Sequence, residues 1–124
     1  MSPEQVRSEQ LDGRTDLFSF GLILYEMATG QRAFSGNTAA ILKDAILNHT
    51  PAPVNEGNST LPAKLVTTID KALEKNRAQR YQSAAQMRAD IQTLQRELEP
   101  KNSPRWRGMA TGVVVVLTGL CAQL

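Results

Sequence analysis

Asp16-Leu-Phe-Ser-Phe-Gly-Leu-Ile-Leu-Tyr-Glu-Met-Ala-Thr-Gly30 predicts a helix of about 15 residues. Thr15 or Asp16 can cap its first turn, and Gly30 stands where helices often end in a left-handed conformation. Apolar side chains fall on every face of this helix, a pattern typical of a buried or membrane-spanning helix. Because its flanks are polar and a span needs about 20 residues, we expect it to be the central helix of a core.

Working outward from this helix, three short motifs resemble those of one family. Asp16-Leu-Phe-Ser-Phe-Gly21 is similar to the D-x-aromatic-S-x-G signature that opens the central C-lobe helix of eukaryotic-like protein kinases. Ser2-Pro3-Glu4 stands where that family has A-P-E, and Arg80 stands where it has a buried arginine. The resemblance covers roughly residues 1 to 98 and is nearest to the bacterial membrane-anchored serine/threonine kinases. The residues that carry it are Ser2, Pro3, Glu4, Asp16, Phe18, Ser19, Gly21 and Arg80.

The resemblance implies an ion pair between Glu4 and Arg80. A surface carboxylate is the alternative interpretation of Glu4, but the matching context of Arg80 favours the buried pair. A planar guanidinium can hold a carboxylate through two hydrogen bonds, and losing one member of a buried pair is costly. Asp16 would by resemblance hold the backbone of a catalytic loop. That loop is absent from the sequence, so we interpret Asp16 as an N-terminal helix residue favoured by the helix dipole.

Three further helices are predicted downstream, and no stretch shows the alternation of a strand. Pro62 suits a first turn, Ser83 can cap the last helix, and apolar residues recur on one face of each. Before them, Phe34 can enter the core from a loop. The predicted fold class is therefore all-α, the helical half of a kinase-like C-lobe. Its four main helices are Asp16–Thr29, Thr38–Asn48, Pro62–Lys75 and Ser83–Leu98.

The C-terminal residues predict a membrane segment. Residues 99–108 form a linker with Lys101, Arg105, Trp106 and Arg107, and residues 109–124 carry no charge. A basic, Trp-bearing flank before an apolar run is typical of a cytoplasmic membrane boundary. The run would extend about 24 Å as a helix, short of the roughly 30 Å bilayer core. We expect a truncated span or a short tail anchor, with a buried core helix as the alternative.

The sequence gives little support for catalysis, metal binding or nucleic-acid binding by this chain. The 124 residues contain no G-x-G-x-x-G, H-R-D or D-F-G motif, which hold ATP and its metal ions in protein kinases. One histidine, His49, and one cysteine, Cys121, cannot supply a metal site. A net charge of +2 is too small to argue for nucleic acid. We expect no catalytic residue and no cofactor here; the resemblance implies MgATP for a complete kinase.

Two main hypotheses follow. The first is a fragment of a membrane-anchored serine/threonine kinase, inactive alone, with its globular part (residues 1–98) on the cytoplasmic side of the cell membrane. Met1 would then be an internal methionine or the start of a truncated gene. The second is a non-catalytic, membrane-tethered helical module that binds a protein partner through its exposed surface. An ordinary soluble helical domain is a third possibility.

Overall fold

The computed structural model describes residues 1–56 and 60–99, which form helices and connecting loops without a strand. This confirms the all-α class. No helix within these residues is long and apolar enough to cross a membrane. The expectations for the basic linker and for the apolar run 109–124 lie outside the described residues. The helices are α1 (Pro3–Val6), α2 (Gly13–Thr29), α3 (Ala39–Asn48), α4 (Ala63–Ala72) and α5 (Ala84–Leu98).

Helix α2 is the central helix and begins earlier than predicted. Asp12, not Thr15 or Asp16, is its N-cap: the extended Asp12 accepts a hydrogen bond from the backbone N–H of Arg14 at 2.9 Å. The helix begins three residues earlier than predicted because the Asp12 side chain satisfies a free N–H of the first turn, which then starts at Gly13. The predicted end is confirmed, since Gly30 takes a left-handed φ of 71° and donates its N–H to Glu26 O.

The prediction that α2 is buried all round is wrong for one face. Leu17, Phe18 and Leu24 are buried where α4 and α5 pack against the helix. Ile23 and Met27, on another face, keep 49% and 39% of their surface exposed. No described element covers that face, so α2 is central to the assembly but apolar on both its inner and outer sides.

Helix α1 was not predicted from the sequence. Ser2 Oγ accepts from the N–H of Gln5 at 3.3 Å, and the Gln5 side chain accepts from the N–H of Ser2 at 2.8 Å. This reciprocal arrangement is a capping box, with Pro3 at the first helical position. A four-residue helix has too few positions to show a periodic pattern, so only the caps could have indicated it.

The three later helices follow their predictions with small shifts. Helix α4 is shorter than Pro62–Lys75: Pro62 is its N-cap and Leu73 its C-cap, so the residues after Leu73 form a turn. Thr38 and Ser83 cap α3 and α5 and lie just outside them. The predicted apolar faces are buried in α4 (Leu65, Ile69, Ala72) and α5 (Met87, Ile91, Leu94).

The loop between α2 and α3 sends Phe34 into the core, as predicted. Its ring stacks on Phe18, with 6.3 Å between the centroids and planes within 8°. Lys75 covers the same ring at 4.5 Å from its Nζ and donates to Ile46 O in the last turn of α3. A cation there satisfies a carbonyl that the helix leaves unpaired, so Lys75 fixes α3 to the core.

Candidate functional site

Glu4 and Arg80 form the ion pair that the motifs implied. Arg80 Nη1 donates to Glu4 Oε1 at 2.7 Å, and Nη2 donates to Oε2 at 3.2 Å. Each residue keeps only 1% of its surface exposed. The pair joins α1 to the turn between α4 and α5, across 76 residues of chain. The contact is therefore buried, is made by two hydrogen bonds, and joins the first helix to the turn that precedes the last one.

The guanidinium of Arg80 is fully occupied by further acceptors. Its Nε donates to Glu74 O at 2.9 Å, and Nη1 also donates to Arg14 O at 2.9 Å. Nη2 reaches Lys75 O at 3.4 Å. A buried charge is tolerated when its hydrogen bonds are satisfied, and here backbone carbonyls from two parts of the chain complete the set. Arg80 thus positions the first turn of α2 against the α4–α5 turn.

Thr15 is a member of this site that the sequence analysis missed. Its buried hydroxyl donates to Glu4 Oε1 at 2.8 Å, so this oxygen accepts from both Thr15 and Arg80. Burial by itself raises the pKa of Glu4, but the hydrogen bonds from Arg80, the backbone and Thr15 lower the pKa to about 2. The carboxylate is therefore held ionised. Nothing in the spacing of Thr15 from Glu4 distinguished it from a helix cap.

The remaining motif residues divide between the site and other contacts. Phe18 is buried, and the Arg80 guanidinium lies over its ring. Asp16 is exposed in the first turn of α2 and Ser19 is half-buried, so neither joins the pair. Gly21 lies at the closest approach of α2 to α4, where an added Cβ would be 2.7 Å from the Cβ of Ala72. The glycine is required by packing, not by chemistry.

This arrangement is suited to holding the fold and not to proton transfer. The Glu4 carboxylate accepts from three donors of Arg80 and Thr15, and its lowered pKa removes it from the range of a general base near neutral pH. Among residues 1–56 and 60–99, no three His, Cys, Asp or Glu side chains are grouped to hold a metal ion. His49 is exposed, with its Nε2 3.5 Å from Asp44.

Comparison with known proteins identifies the motifs. The profile of the family described as "Protein tyrosine and serine/threonine kinase" matches residues 1–91. The chain belongs to this protein kinase family. The resemblance stated from Ser2-Pro3-Glu4, Asp16–Gly21 and Arg80 is thereby confirmed, and the Glu4–Arg80 pair lies within the kinase-matching residues.

Serine/threonine-protein kinases of several bacteria are similar to most of this chain. It is 37% identical over 105 residues to "Serine/threonine-protein kinase PknB" of Mycobacterium tuberculosis, covering 85% of this chain and 17% of that protein. It is 34% identical over 96 residues to a probable serine/threonine-protein kinase of Clostridium perfringens, covering 77% of this chain and 14% of that protein. The chain therefore spans about a sixth of the kinases that it matches.

A solved kinase shares the fold. The twitchin kinase region from C. elegans superposes with a TM-score of 0.67 at 16% sequence identity, covering 98% of this chain and 20% of that one. At this identity the likeness supports the fold alone. The all-α arrangement of α1 to α5 is thus a part of a kinase domain, consistent with the predicted helical half of a C-lobe.

Proposed function

We propose that this chain forms the helical C-terminal part of the catalytic domain of a membrane-anchored serine/threonine protein kinase. The single observation that carries the proposal is the buried Glu4–Arg80 pair, which places the kinase motifs in one contact. The similarity to bacterial serine/threonine-protein kinases supports this class of kinase in particular. In the complete kinase the reaction would be transfer of the ATP γ-phosphoryl group to a protein Ser or Thr hydroxyl.

The part played by this chain would be structural. Its sequence contains no glycine-rich loop, catalytic aspartate or D-F-G segment, and the Glu4 carboxylate is committed to Arg80 and Thr15. We expect the purified chain neither to bind MgATP nor to phosphorylate a generic Ser/Thr substrate. Calorimetry that detects saturable, magnesium-dependent ATP binding at micromolar strength would contradict this part of the proposal.

Membrane attachment rests on the sequence of residues 101–124. Three basic residues and Trp106 precede an uncharged run of 16 residues, an order typical of a cytoplasmic boundary. We propose that residues 1–98 lie on the cytoplasmic side. Deletion of residues 109–124 should move the protein from the membrane pellet to the soluble fraction. If the full chain is already soluble and monomeric without detergent, the anchor is refuted.

The genome offers the most direct test of the kinase proposal. An open reading frame that continues upstream of residue 1 and encodes H-R-D and D-F-G would support it. The longer product should then phosphorylate a Ser/Thr substrate, and Arg80→Met should abolish that activity together with folding. A stop codon directly upstream, in frame, would favour a non-catalytic role.

A non-catalytic interaction module is the second candidate. It is favoured by large apolar side chains that the assembly leaves exposed, among them Ile23 and Met27 on α2 and Ile41 on α3. Large exposed apolar patches mark sites where proteins associate. The two proposals differ in one readout, because a module would bind its partner from this chain alone, whereas the kinase proposal requires the upstream catalytic motifs for any activity.

A further inference from the structure

A basic cleft lies beside helix α1. It has a volume of about 440 Å³ and opens between the end of α1 and the turn after α4. The ion pair of Glu4 and Arg80 lies at one wall, and the other lining side chains are exposed or half-buried. The lining residues are Glu4, Arg7, Glu9, Lys75, Asn76 and Arg77.

Positive charge in this cleft exceeds negative charge. Glu4 is neutralised by Arg80 behind it, at 2.7 Å. Glu9 is the other carboxylate, 3.7 Å from Arg77 and 4.0 Å from Arg7, so it can offset one of the two guanidinium groups. Lys75 lines the cleft as well and adds a positive charge beside it, while its Nζ donates to Ile46 O and lies over the Phe34 ring. Arg80 neutralises Glu4, so three cations (Arg7, Lys75 and Arg77) remain beside one carboxylate (Glu9). Two positive charges therefore stay uncompensated in the lining.

Nearby acidic groups do not remove this excess. Asp12 lies 3.6 Å from Arg77 but is held by Arg14, whose Nη2 donates to it at 2.8 Å. Arg77 is partly engaged as well, because its Nη1 donates to Gln10 O at 2.7 Å. Arg7 is the least committed cation, since its ion pair within the described residues is the 4.0 Å contact with Glu9.

The charge of Arg7 acts on Lys75, a second cation that lines the cleft. Burial lowers the pKa of Lys75, and the positive charge of Arg7 lowers it further. The fold thus holds two like charges close enough to interact, which costs free energy in the absence of a counter-charge. A bound anion would recover that cost.

The backbone beside Arg7 is also strained. Ser8 has a φ of 56°, the one positive φ of a non-glycine residue in the described part of the chain. The left-handed region is unfavourable for serine, and such residues persist where the surroundings determine them. Here it separates Arg7 from Glu9, and the turn at Ser8 leaves both side chains lining the same cleft.

We propose that the basic cleft binds a phosphate monoester dianion, with Arg7 as the principal contact and Arg77 and the Asn76 amide as further donors. A dianion matches the two uncompensated charges. Arginine presents a planar fork that suits phosphate oxygens, and the volume admits a phosphorylated side chain with its flanking peptide atoms. The same chemistry is offered by a phosphorylated peptide and by free phosphate.

Nuclear magnetic resonance of the full chain in a non-ionic detergent tests this site. Inorganic phosphate, a phosphoserine peptide and the same peptide without phosphate are titrated at constant ionic strength, because screening alters weak charge interactions. The arginine Nε–H signals of Arg7 and Arg77 and the side-chain amide of Asn76 are followed. Arg7→Met is the test variant. Arg32→Met is its control, since it removes the same charge from an exposed loop outside the cleft.

Saturable shifts of these signals with phosphate are expected. Arg7→Met should weaken the apparent Kd about tenfold or more, the effect of losing a charge-assisted hydrogen bond. Arg32→Met should stay within about twofold. Tighter binding of the phosphoserine peptide than of inorganic phosphate assigns the peptide as the source, and equal binding assigns free phosphate.

Three results would overturn the proposal. The first is the absence of saturable shifts at up to about 10 mM phosphate. The second is equal weakening by Arg32→Met and Arg7→Met, which would mean attraction to net charge alone. The third is equal binding of the two peptides, which would mean that phosphate is not recognised.

Discussion

The guanidinium of Arg80 lies over the ring of Phe18, with 4.8 Å between Cζ and the ring centroid. The same guanidinium holds Glu4 at its edge. The planar face of one guanidinium therefore contacts Phe18 of the central helix, and its N–H groups bind Glu4 of the N-terminal segment. A contact over an aromatic face contributes about 0.5–2 kcal/mol, so the Glu4–Arg80 pair and the core are energetically connected.

Removal of either partner should leave an unpaired buried charge. Arg80→Met should lower the free energy of unfolding by roughly 3–5 kcal/mol, and Glu4→Gln by nearly as much. The double variant should cost less than the sum, because the second change removes the charge that the first left unpaired. Urea denaturation of the four proteins measures the coupling. Additive effects below about 1 kcal/mol would contradict the buried pair.

The control for this cycle is Arg96→Met, on the exposed side of the last turn of α5, which should cost no more than about 0.5 kcal/mol. Arg77 is not a suitable control, because it is half-buried, donates to Gln10 O and lies near Glu9 and Asp12.

The hydroxyl of Thr15 should contribute to the acid stability of the pair, after the larger contribution of Arg80. The pKa of Glu4 is lowered from 4.5 to about 2, so its stabilisation is complete above pH 4.5 and is lost as the pH falls towards 2. Thr15→Val removes one donor to the carboxylate. The pKa of Glu4 should rise, the acid transition should move to higher pH, and unfolding should become easier by about 1–3 kcal/mol at neutral pH.

Carbon-13 titration of the Glu4 carboxyl, with urea denaturation at neutral and acid pH, measures both effects of Thr15→Val. Thr67→Val is a matched control: the hydroxyl of Thr67 is exposed on α4 and donates to Lys64 O, away from the pair. An unchanged Glu4 pKa in Thr15→Val would show that the 2.8 Å hydrogen bond from Thr15 does not stabilise the ionised carboxylate.

Gly21 should be intolerant of a side chain, unlike Gly13. Gly21→Ala would place a Cβ 2.7 Å from Ala72 Cβ and 3.1 Å from Leu73 Cδ2, forcing α2 and α4 apart. We expect a loss of about 1–3 kcal/mol, partly offset by the better helix propensity of alanine. Gly13→Ala meets nothing within 4 Å and should be neutral or stabilising. Thermal melts that rank the two variants equally would contradict this packing.

Tyr81 should contribute a stronger hydrogen bond than Tyr25. The Tyr81 hydroxyl donates to Asp90 Oδ2 at 2.6 Å, and Lys64 donates to the other carboxylate oxygen at 3.0 Å. Tyr81→Phe should cost about 1.5–3 kcal/mol, because the donor that is lost serves a charged acceptor. Tyr25→Phe, whose hydroxyl donates to Ala52 O, should cost about 0.5–1.5 kcal/mol. Urea denaturation that reverses this order would refute the assignment.

Local signals predicted much of the fold. Ser83, Thr38 and Gly30 delimit their helices as expected, because caps depend on residues that are adjacent in sequence. Asp12 was missed because two later residues could also cap. The exposure of Ile23 and Met27 was missed for another reason: an apolar side chain reveals a preference for burial, whereas the elements available to cover it depend on the rest of the chain.

The site was predictable only where motifs mark it. Glu4 and Arg80 stand in segments that resemble kinase motifs, and the structure pairs them. Thr15 and the carbonyls of Arg14 and Glu74 carry no such mark. Every residue has a carbonyl; the α4–α5 turn brings that of Glu74 to Arg80, and the packing of α2 brings that of Arg14. Hydrogen-bond partners of this kind depend on tertiary structure and not on residue type.

The separation of Glu4 from Arg80 also imposes an order on folding during synthesis. The two residues are 76 positions apart, and a ribosome adds about 5–20 residues each second. Glu4 therefore waits about 4–15 s for its partner after it has been incorporated. Until then its carboxylate must stay hydrated, so α1 can dock only after α2, α3 and α4 have been made. Of the five described helices, α1 is therefore translated first and is among the last to join the assembly.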